Sequence, residues 1–283
     1  NITENDPFEG KPAIIFSERE LSPYVNRMKM DWEEMRGVVL ETFPQAPAIR
    51  RNTDAYLKHV DDLYLTDAYH SLSIEGYRVN EALIERVRSG NWDPDTNRKD
   101  KAYADALAAR GYWQAFQAVK KSLTKVLNEN AAGSVASRDH ATWYRELFAP
   151  SASAGIISAS DLAGYRNQPV YIRKSRHVPP RYEAVRDLMP AFFRLLKDEK
   201  EPAVRAVLGH FFFVHIHPYI DGNGRMGRFL MNVMLASGGY PWTVVPLETR
   251  NDYMAALEEA SVGKNIEPFS RFLAELVRGA SNA

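Results

Sequence analysis

The sequence predicts a mainly α-helical protein, and three observations carry that prediction. Apolar residues recur three and four positions apart in several long segments. One run, Ala203 to Ile216 (AVRAVLGHFFFVHI), is apolar nearly all round, as a buried helix is. One short run, Val170-Tyr171-Ile172, is β-prone and suits a small hairpin beside the helices.

The elements follow from spacing and from breakers. Asn1 to Pro23 contains three prolines and reads as irregular. Val25, Met28, Trp32, Met35 and Val39 then share one helical face, and Phe43-Pro44 closes that helix. Asp54 to Glu75 reads as a second helix, with Tyr56, Val60, Leu63 and Tyr64 on its stripe and Gly76 as its stop. Helices are expected at Val79 to Arg88 and Lys101 to Leu127, joined by the loop Asn91-Trp92-Asp93-Pro94-Asp95. The longer is amphipathic through Tyr103, Leu107, Trp113, Phe116 and Val119. The polar, small-residue stretch Asn128 to Ser137 is the expected boundary between an N-terminal helical region (1–130) and a second domain (138–276). A further helix leads to a Ser/Ala-rich loop, Pro150 to Ser160.

Val170-Tyr171-Ile172, the polar Arg173 to Arg176 and Val178-Pro179-Pro180 predict a hairpin. The apolar run Ala203 to Ile216 ends at Pro218, and a new helix is expected from Gly224 or Arg225 to Gly238-Gly239. Tyr253 to Ala260 and a last helix through Phe269, Phe272, Leu273 and Leu276 complete the chain, with Gly263 between them. There is no internal repeat.

Composition bounds the function. With 283 residues, 45% of them hydrophobic, the chain is long enough to bury a substantial core. Thirty-six basic residues balance thirty-six acidic ones, which argues against a globally basic nucleic-acid binder. The absence of cysteine excludes disulfides, thiolate zinc sites and thiol nucleophiles. No apolar run is long enough to span a membrane and the N-terminus does not read as a signal peptide, so the expectation is a cytoplasmic enzyme.

The chemistry concentrates between residues 217 and 228: His-Pro-Tyr-Ile-Asp-Gly-Asn-Gly-Arg-Met-Gly-Arg. Gly222 and Gly224 flank Asn223 in a loop that can present backbone N–H groups, and the helix beginning after it adds orphan N–H groups and a dipole that favour an anion. Arg225 and Arg228, three apart, lie on one face and reach two phosphates of one polyphosphate. Asp221 offers a carboxylate oxygen of the kind Mg²⁺ takes beside phosphates. His217 titrates nearest neutrality and is the candidate base. A rival reading takes His210, His215 and His217 as a hydrolytic metal cluster, but no second carboxylate stands at ligand spacing.

This segment resembles the Fic (Fido) signature, His-x-Phe-x-(Asp/Glu)-Gly-Asn-Gly-Arg-x-x-Arg, with Tyr219 in place of Phe. The resemblance implies a Fic-type helical core in 138–276 with a small β-hairpin flap, preceded by the N-terminal helical region. It also implies transfer of AMP from ATP to a protein Ser, Thr or Tyr hydroxyl. His217 would then be the base and Asp221 the Mg²⁺ ligand. Asn223 with the Gly222 and Gly224 N–H groups would form the anion hole, and Arg225 and Arg228 would grip the β- and γ-phosphates.

Ser71-Leu72-Ser73-Ile74-Glu75-Gly76 resembles the family's inhibitory motif, (Ser/Thr)-x-x-x-Glu-(Gly/Asn). By that resemblance Ser71, Glu75 and Gly76 form a built-in inhibitor, Glu75 pairing with Arg228 where the γ-phosphate must sit. Removal of AMP and self-modification are further activities of some relatives. Gly164 to Pro180 resembles the flap, which would lay an extended target segment over the site by main-chain pairing. Val170 and Ile172 would pack near the nucleotide and the target, and Tyr253 resembles an aromatic that lines adenine. The implied partners are ATP and a protein with an exposed hydroxyl in an extended segment, and a homodimer is compatible with the pattern. Ser261 stands near where some relatives place an Asn on the base, so another nucleotide stays open, as does a Fic-fold interaction protein without turnover.

Overall fold

A computed structural model describes residues 22–47, 52–92 and 103–281, which form ten α-helices and two short 3₁₀ turns, with no β-strand among them. The first helix, α1 (Pro23–Thr42), opens on a Ser22 cap with proline in its first turn and buries Val25, Met28, Trp32, Met35 and Val39, the residues whose spacing predicts it. Asn52 caps α2 (Thr53–Ile74) and Asn80 caps α3 (Glu81–Arg88), each side-chain oxygen accepting an orphan N–H. The expected irregular opening lies outside the described residues up to position 21, and so do Asp93, Pro94 and Asp95 of the predicted loop.

After α4 (Tyr103–Leu127) comes α5 (Ala132–Ser153). The stretch Asn128 to Ser137 is helical from Ala132 onward. Its small residues serve a close helix crossing: a Cβ on Gly133 would collide with the Leu196 carbonyl. Pro150 lies inside α5, so the Ser/Ala-rich loop begins only at Ala154. A proline in the last turn removes one hydrogen bond, and the buried Trp143, Leu147 and Phe148 before it hold the helix in spite of that loss.

The next helix, α6 (Tyr182–Asp198), buries Val185, Leu188, Met189, Phe192 and Phe193. Its sequence signal is interrupted by Pro190, which sits exposed on the outer face and lets the helix pass. The chain ends with α7 (Pro202–Ile216), α8 (Asn223–Ser237), α9 (Arg250–Val262) and α10 (Glu267–Ser281).

The predicted hairpin over residues 170–180 does not form a strand ladder. A turn is present, with Ser175 N–H on the Ile172 carbonyl (3.2 Å) and Lys174 at φ 64°, but the returning arm is tied elsewhere. The Ser175 hydroxyl and the Arg176 N–H (2.8 Å) bond the Glu258 carboxylate on α9, and the His177 ring bonds the His215 carbonyl (2.8 Å).

One apolar cluster runs from Val25 to Val277. At its centre α8 packs on α7, α4 and α5, so almost every α8 side chain is buried, including Arg225 and Arg228. Asn232 pins the following extended chain by exchanging two bonds with the Thr243 backbone (2.7 and 3.0 Å). No helix among the described residues is long and apolar enough to cross a membrane.

Candidate active site

Where α7 ends, His217 adopts a left-handed conformation (φ 52°, ψ 60°) with its N–H on the Phe213 carbonyl. For a residue with a Cβ this is a sparsely populated state, maintained by its surroundings. The ring Nδ1 bonds the Val214 carbonyl at 3.1 Å, a contact that requires the proton on Nδ1 and leaves the Nε2 lone pair able to accept a proton. Burial pushes the imidazole below its ordinary value of 6.5, and positive Arg166 adds to that against the opposing Val214 bond. The ring is therefore neutral at pH 7.

Arg166 is what fixes this loop, and spacing alone gave no sign of it. Buried at 4% exposure, it donates from Nε to the His217 carbonyl (2.7 Å), from Nη1 to the Gln168 carbonyl (3.2 Å) and from Nη2 to the Pro180 carbonyl. Its own N–H bonds the Pro218 carbonyl (2.9 Å). One guanidinium thus ties the signature loop to both ends of the predicted flap segment.

The rest of the loop closes on Asn223. Its side chain accepts from the Tyr219 N–H (3.0 Å) and donates to the Tyr219 carbonyl (2.9 Å), so both ends of that amide shape the bend. Tyr219, in the aromatic position of the signature, is 2% exposed and stacks on Tyr144 with centroids 3.7 Å apart. Gly222 takes φ 82° at the start of α8, a conformation glycine adopts without strain, and its N–H points at the Asp221 carboxylate (2.6 Å).

Both arginines of the motif face the end of α2. Arg228 donates to the Ser71 hydroxyl (2.9 Å), the Ser71 carbonyl (3.0 Å) and the Glu75 carboxylate (2.7 Å). That carboxylate lies over the first turn of α8, where a Cβ on Gly224 would collide with it. Burial alone would raise the Glu75 carboxyl, but the charges of Arg228, Arg225 and Arg250 bring it below its ordinary value. Arg225 bonds Asp221 (3.2 Å) and lies between the rings of Tyr77 and Phe148.

Behind Ser71 lies a polar cluster. Asp67, one turn earlier on α2, accepts from the Tyr112 hydroxyl (2.7 Å), and burial pushes its carboxyl up to about 6. A signal for this cluster exists in the sequence, because Asp67, Ser71 and Glu75 recur at i, i+4 and i+8 on a helix whose inward face is otherwise apolar.

The remaining candidates fall elsewhere. Tyr253 is 1% exposed in the core, its hydroxyl bonded to His210 (2.7 Å) and its phenol close to Arg228 from behind. His215 stacks on His177, so the three histidines of the rival metal reading have three separate environments. Among the described residues no group of three or more potential ligands converges on a metal position. Val170 and Ile172 are half-buried on the flap segment, while Tyr171 between them is 80% exposed. Asp221, with 63% of its side chain exposed beside the α8 N-terminus, suits a hard cation that completes its shell with phosphate oxygens and water.

Fold and site define a helical protein with an anion-favouring helix start beside a neutral histidine. The Fic/DOC family model matches residues 135–235. Curated relatives from Drosophila yakuba and Drosophila grimshawi, both named protein adenylyltransferase Fic, are 30% identical over 232 and 254 residues. Those stretches are 81% and 88% of this chain but 43% and 47% of the relatives, so the chain spans less than half the length of the curated relatives it matches. Fic-1 from C. elegans superposes with a TM-score of 0.66 at 21% identity, over 92% of this chain and 72% of that one. A Fic domain containing signaling protein from Bacteroides thetaiotaomicron gives 0.58 at 19% identity, over 91% and 94%. At such identities the likeness is one of fold. The chain belongs to the Fic/DOC family.

Proposed function

We propose that this chain is a protein adenylyltransferase, moving AMP from ATP to a Ser, Thr or Tyr hydroxyl of a protein target, and that Glu75 holds it in a restrained state. The observation that carries this reading is the 2.7 Å pair between Glu75 and Arg228 over the first turn of α8. An acidic side chain lies at the first turn of α8, in the same molecule as a neutral His217.

The chemistry follows from the residues. The His217 Nε2 accepts the proton of the incoming hydroxyl as its oxygen bonds the α-phosphorus. The bond from that phosphorus to the bridging oxygen breaks, and pyrophosphate leaves with the bonding electron pair. The N–H groups at the start of α8, with Arg225 and Arg228, hold the charge that builds on the leaving phosphates. Asp221 would hold Mg²⁺, which supplies charge neutralisation on the phosphates when bound. Asn223 acts by shaping the loop, and Val170 and Ile172 pack beside the extended target segment. The helical region 1–130 supplies the restraint and 138–276 the catalytic parts, within one core. Removal of AMP and self-modification, which the resemblance implies for some relatives, are further activities to test.

The test is mass spectrometry of wild type, Glu75→Gly and His217→Ala after incubation with Mg²⁺, cell lysate and ATP, UTP or GTP. Glu75→Gly is expected to raise ATP-dependent labelling several-fold and His217→Ala to abolish it. Equal labelling by wild type and Glu75→Gly would refute the restraint, and the mass added names the nucleotide.

A further inference from the structure

Resting on the functional reading above, we propose that Tyr77 is a second arm of the inhibitory turn: it shields Arg225 as Glu75 blocks Arg228, so that one turn of chain closes both anion-gripping arginines.

The turn itself is tightly specified. Gly76, at φ 95°, donates its N–H to the Ser73 carbonyl (3.0 Å), and the Tyr77 N–H reaches back to the Leu72 carbonyl (3.2 Å). This is the Schellman pattern of a helix end, and it fixes the direction in which Tyr77 leaves α2. Arg250 adds a bond from Nε to the Ile74 carbonyl (2.8 Å), holding the same end from α9.

So placed, the Tyr77 ring lies 5.1 Å from the Arg225 Cζ, and the Phe148 ring lies 5.1 Å from the same atom. A guanidinium against an aromatic face is attracted by the ring's negative π surface. The consequence is burial: Arg225 is 1% exposed. Yet its Nε is enclosed without a hydrogen-bond partner, an arrangement that costs free energy and that a protein built only for stability would avoid. Donors are present and access is shut. A phosphate oxygen arriving at that guanidinium would satisfy it, and arginine binds phosphate best through two parallel N–H groups.

Of the two rings, Phe148 belongs to the scaffold, since it is buried on α5, whereas Tyr77 is half-buried and follows the end of α2. Admission of phosphate to Arg225 therefore displaces Tyr77. Only Gly76 separates Tyr77 from Glu75, so the same displacement pulls on the Glu75–Arg228 pair. The turn opens as a unit, and removal of either arm is expected to ease nucleotide entry.

Isothermal titration calorimetry of the whole chain with Mg²⁺ and a non-hydrolysable ATP analogue tests this, using wild type, Glu75→Gly, Tyr77→Ala, Tyr77→Phe and the Glu75→Gly/Tyr77→Ala pair. Tyr77→Ala is expected to tighten binding by roughly 2- to 30-fold, the span of a cation–π contact from exposed to desolvated settings. Tyr77→Phe, which keeps the ring, should gain less, and the paired variant should bind more tightly than Glu75→Gly alone. If Glu75→Gly binds the analogue and Tyr77→Ala brings no gain or a loss, the Tyr77 proposal is overturned while the functional reading stands. If Glu75→Gly does not bind it either, both are overturned. Circular-dichroism melts check folding, and should Tyr77→Ala not fold, Tyr77→Leu, which keeps bulk without an aromatic face, is judged by the same outcomes.

Discussion

At His217 the backbone and the ring are held by different partners, and the division has a measurable consequence. Arg166 and the Phe213 carbonyl fix the left-handed backbone, while Val214 fixes the ring through Nδ1. The proposed base must be neutral to accept a proton, and burial lowers its pKa from 6.5. The acid limb of kcat/KM for labelling is therefore expected below pH 6.5. Rates from pH 5 to 8 with Glu75→Gly check this, and a limb at or above 6.5 would show that burial does not control the base. The residue types of the signature were legible in the sequence because a base, a carboxylate, glycines and arginines stand within twelve positions. Arg166 and Tyr77 were not, because each acts on a residue far away in the chain, at separations no local spacing encodes.

At the scale of elements, the end of α2 is where the proposed restraint and stability meet. Gly76 has open space around its Cα, so an added methyl meets no neighbour, and the cost of Gly76→Ala comes from φ 95° alone. A left-handed residue with a Cβ costs about 1–2 kcal/mol, which lowers Tm by roughly 2–8 °C for a domain of this order of size. The turn that loosens is also the one carrying Glu75 and Tyr77, so labelling should rise as Tm falls. Calorimetric melting together with the labelling assay reads both. A lowered Tm with unchanged labelling would mean that the strain is absorbed without moving either side chain. The flap shows the converse limit of local reading. The turn at Arg173-Lys174 is visible in the sequence, but whether its arms pair depends on Glu258 and the His215 carbonyl, which draw one arm away.

For the whole molecule, most helices were readable because each buries a stripe against one continuous core, and periodicity reports burial directly. Composition that serves packing is harder to read: the small residues around Gly133 belong to a helix crossing, and α6, for which the spacing predicts no helix, carries Pro190 on its outer face. The same core sets the pH dependence of stability. Burial lowers the pKa of His140, His177, His210, His215 and His217, to about 4 for His210 and about 3 for His215. Below pH 6.5 the unfolded chain takes up protons on these rings that the folded chain refuses, so stability falls as the solution is acidified. Asp67 works in the opposite sense, since its carboxyl is raised from 3.8 to about 6 and the folded state binds its proton first, but it is one group against five. Glu75, Asp139, Glu199 and Glu258, all lowered, add to the loss only as pH drops through the ordinary carboxylate range. Acid destabilisation is thus expected to begin near pH 6 and not near 4, as a falling urea midpoint between pH 7 and 5. Replacing His215 by Gln, an uncharged side chain that takes up no proton, should flatten that fall; a midpoint constant from pH 7 to 5 in the wild type would show that these imidazoles are not held neutral in the fold.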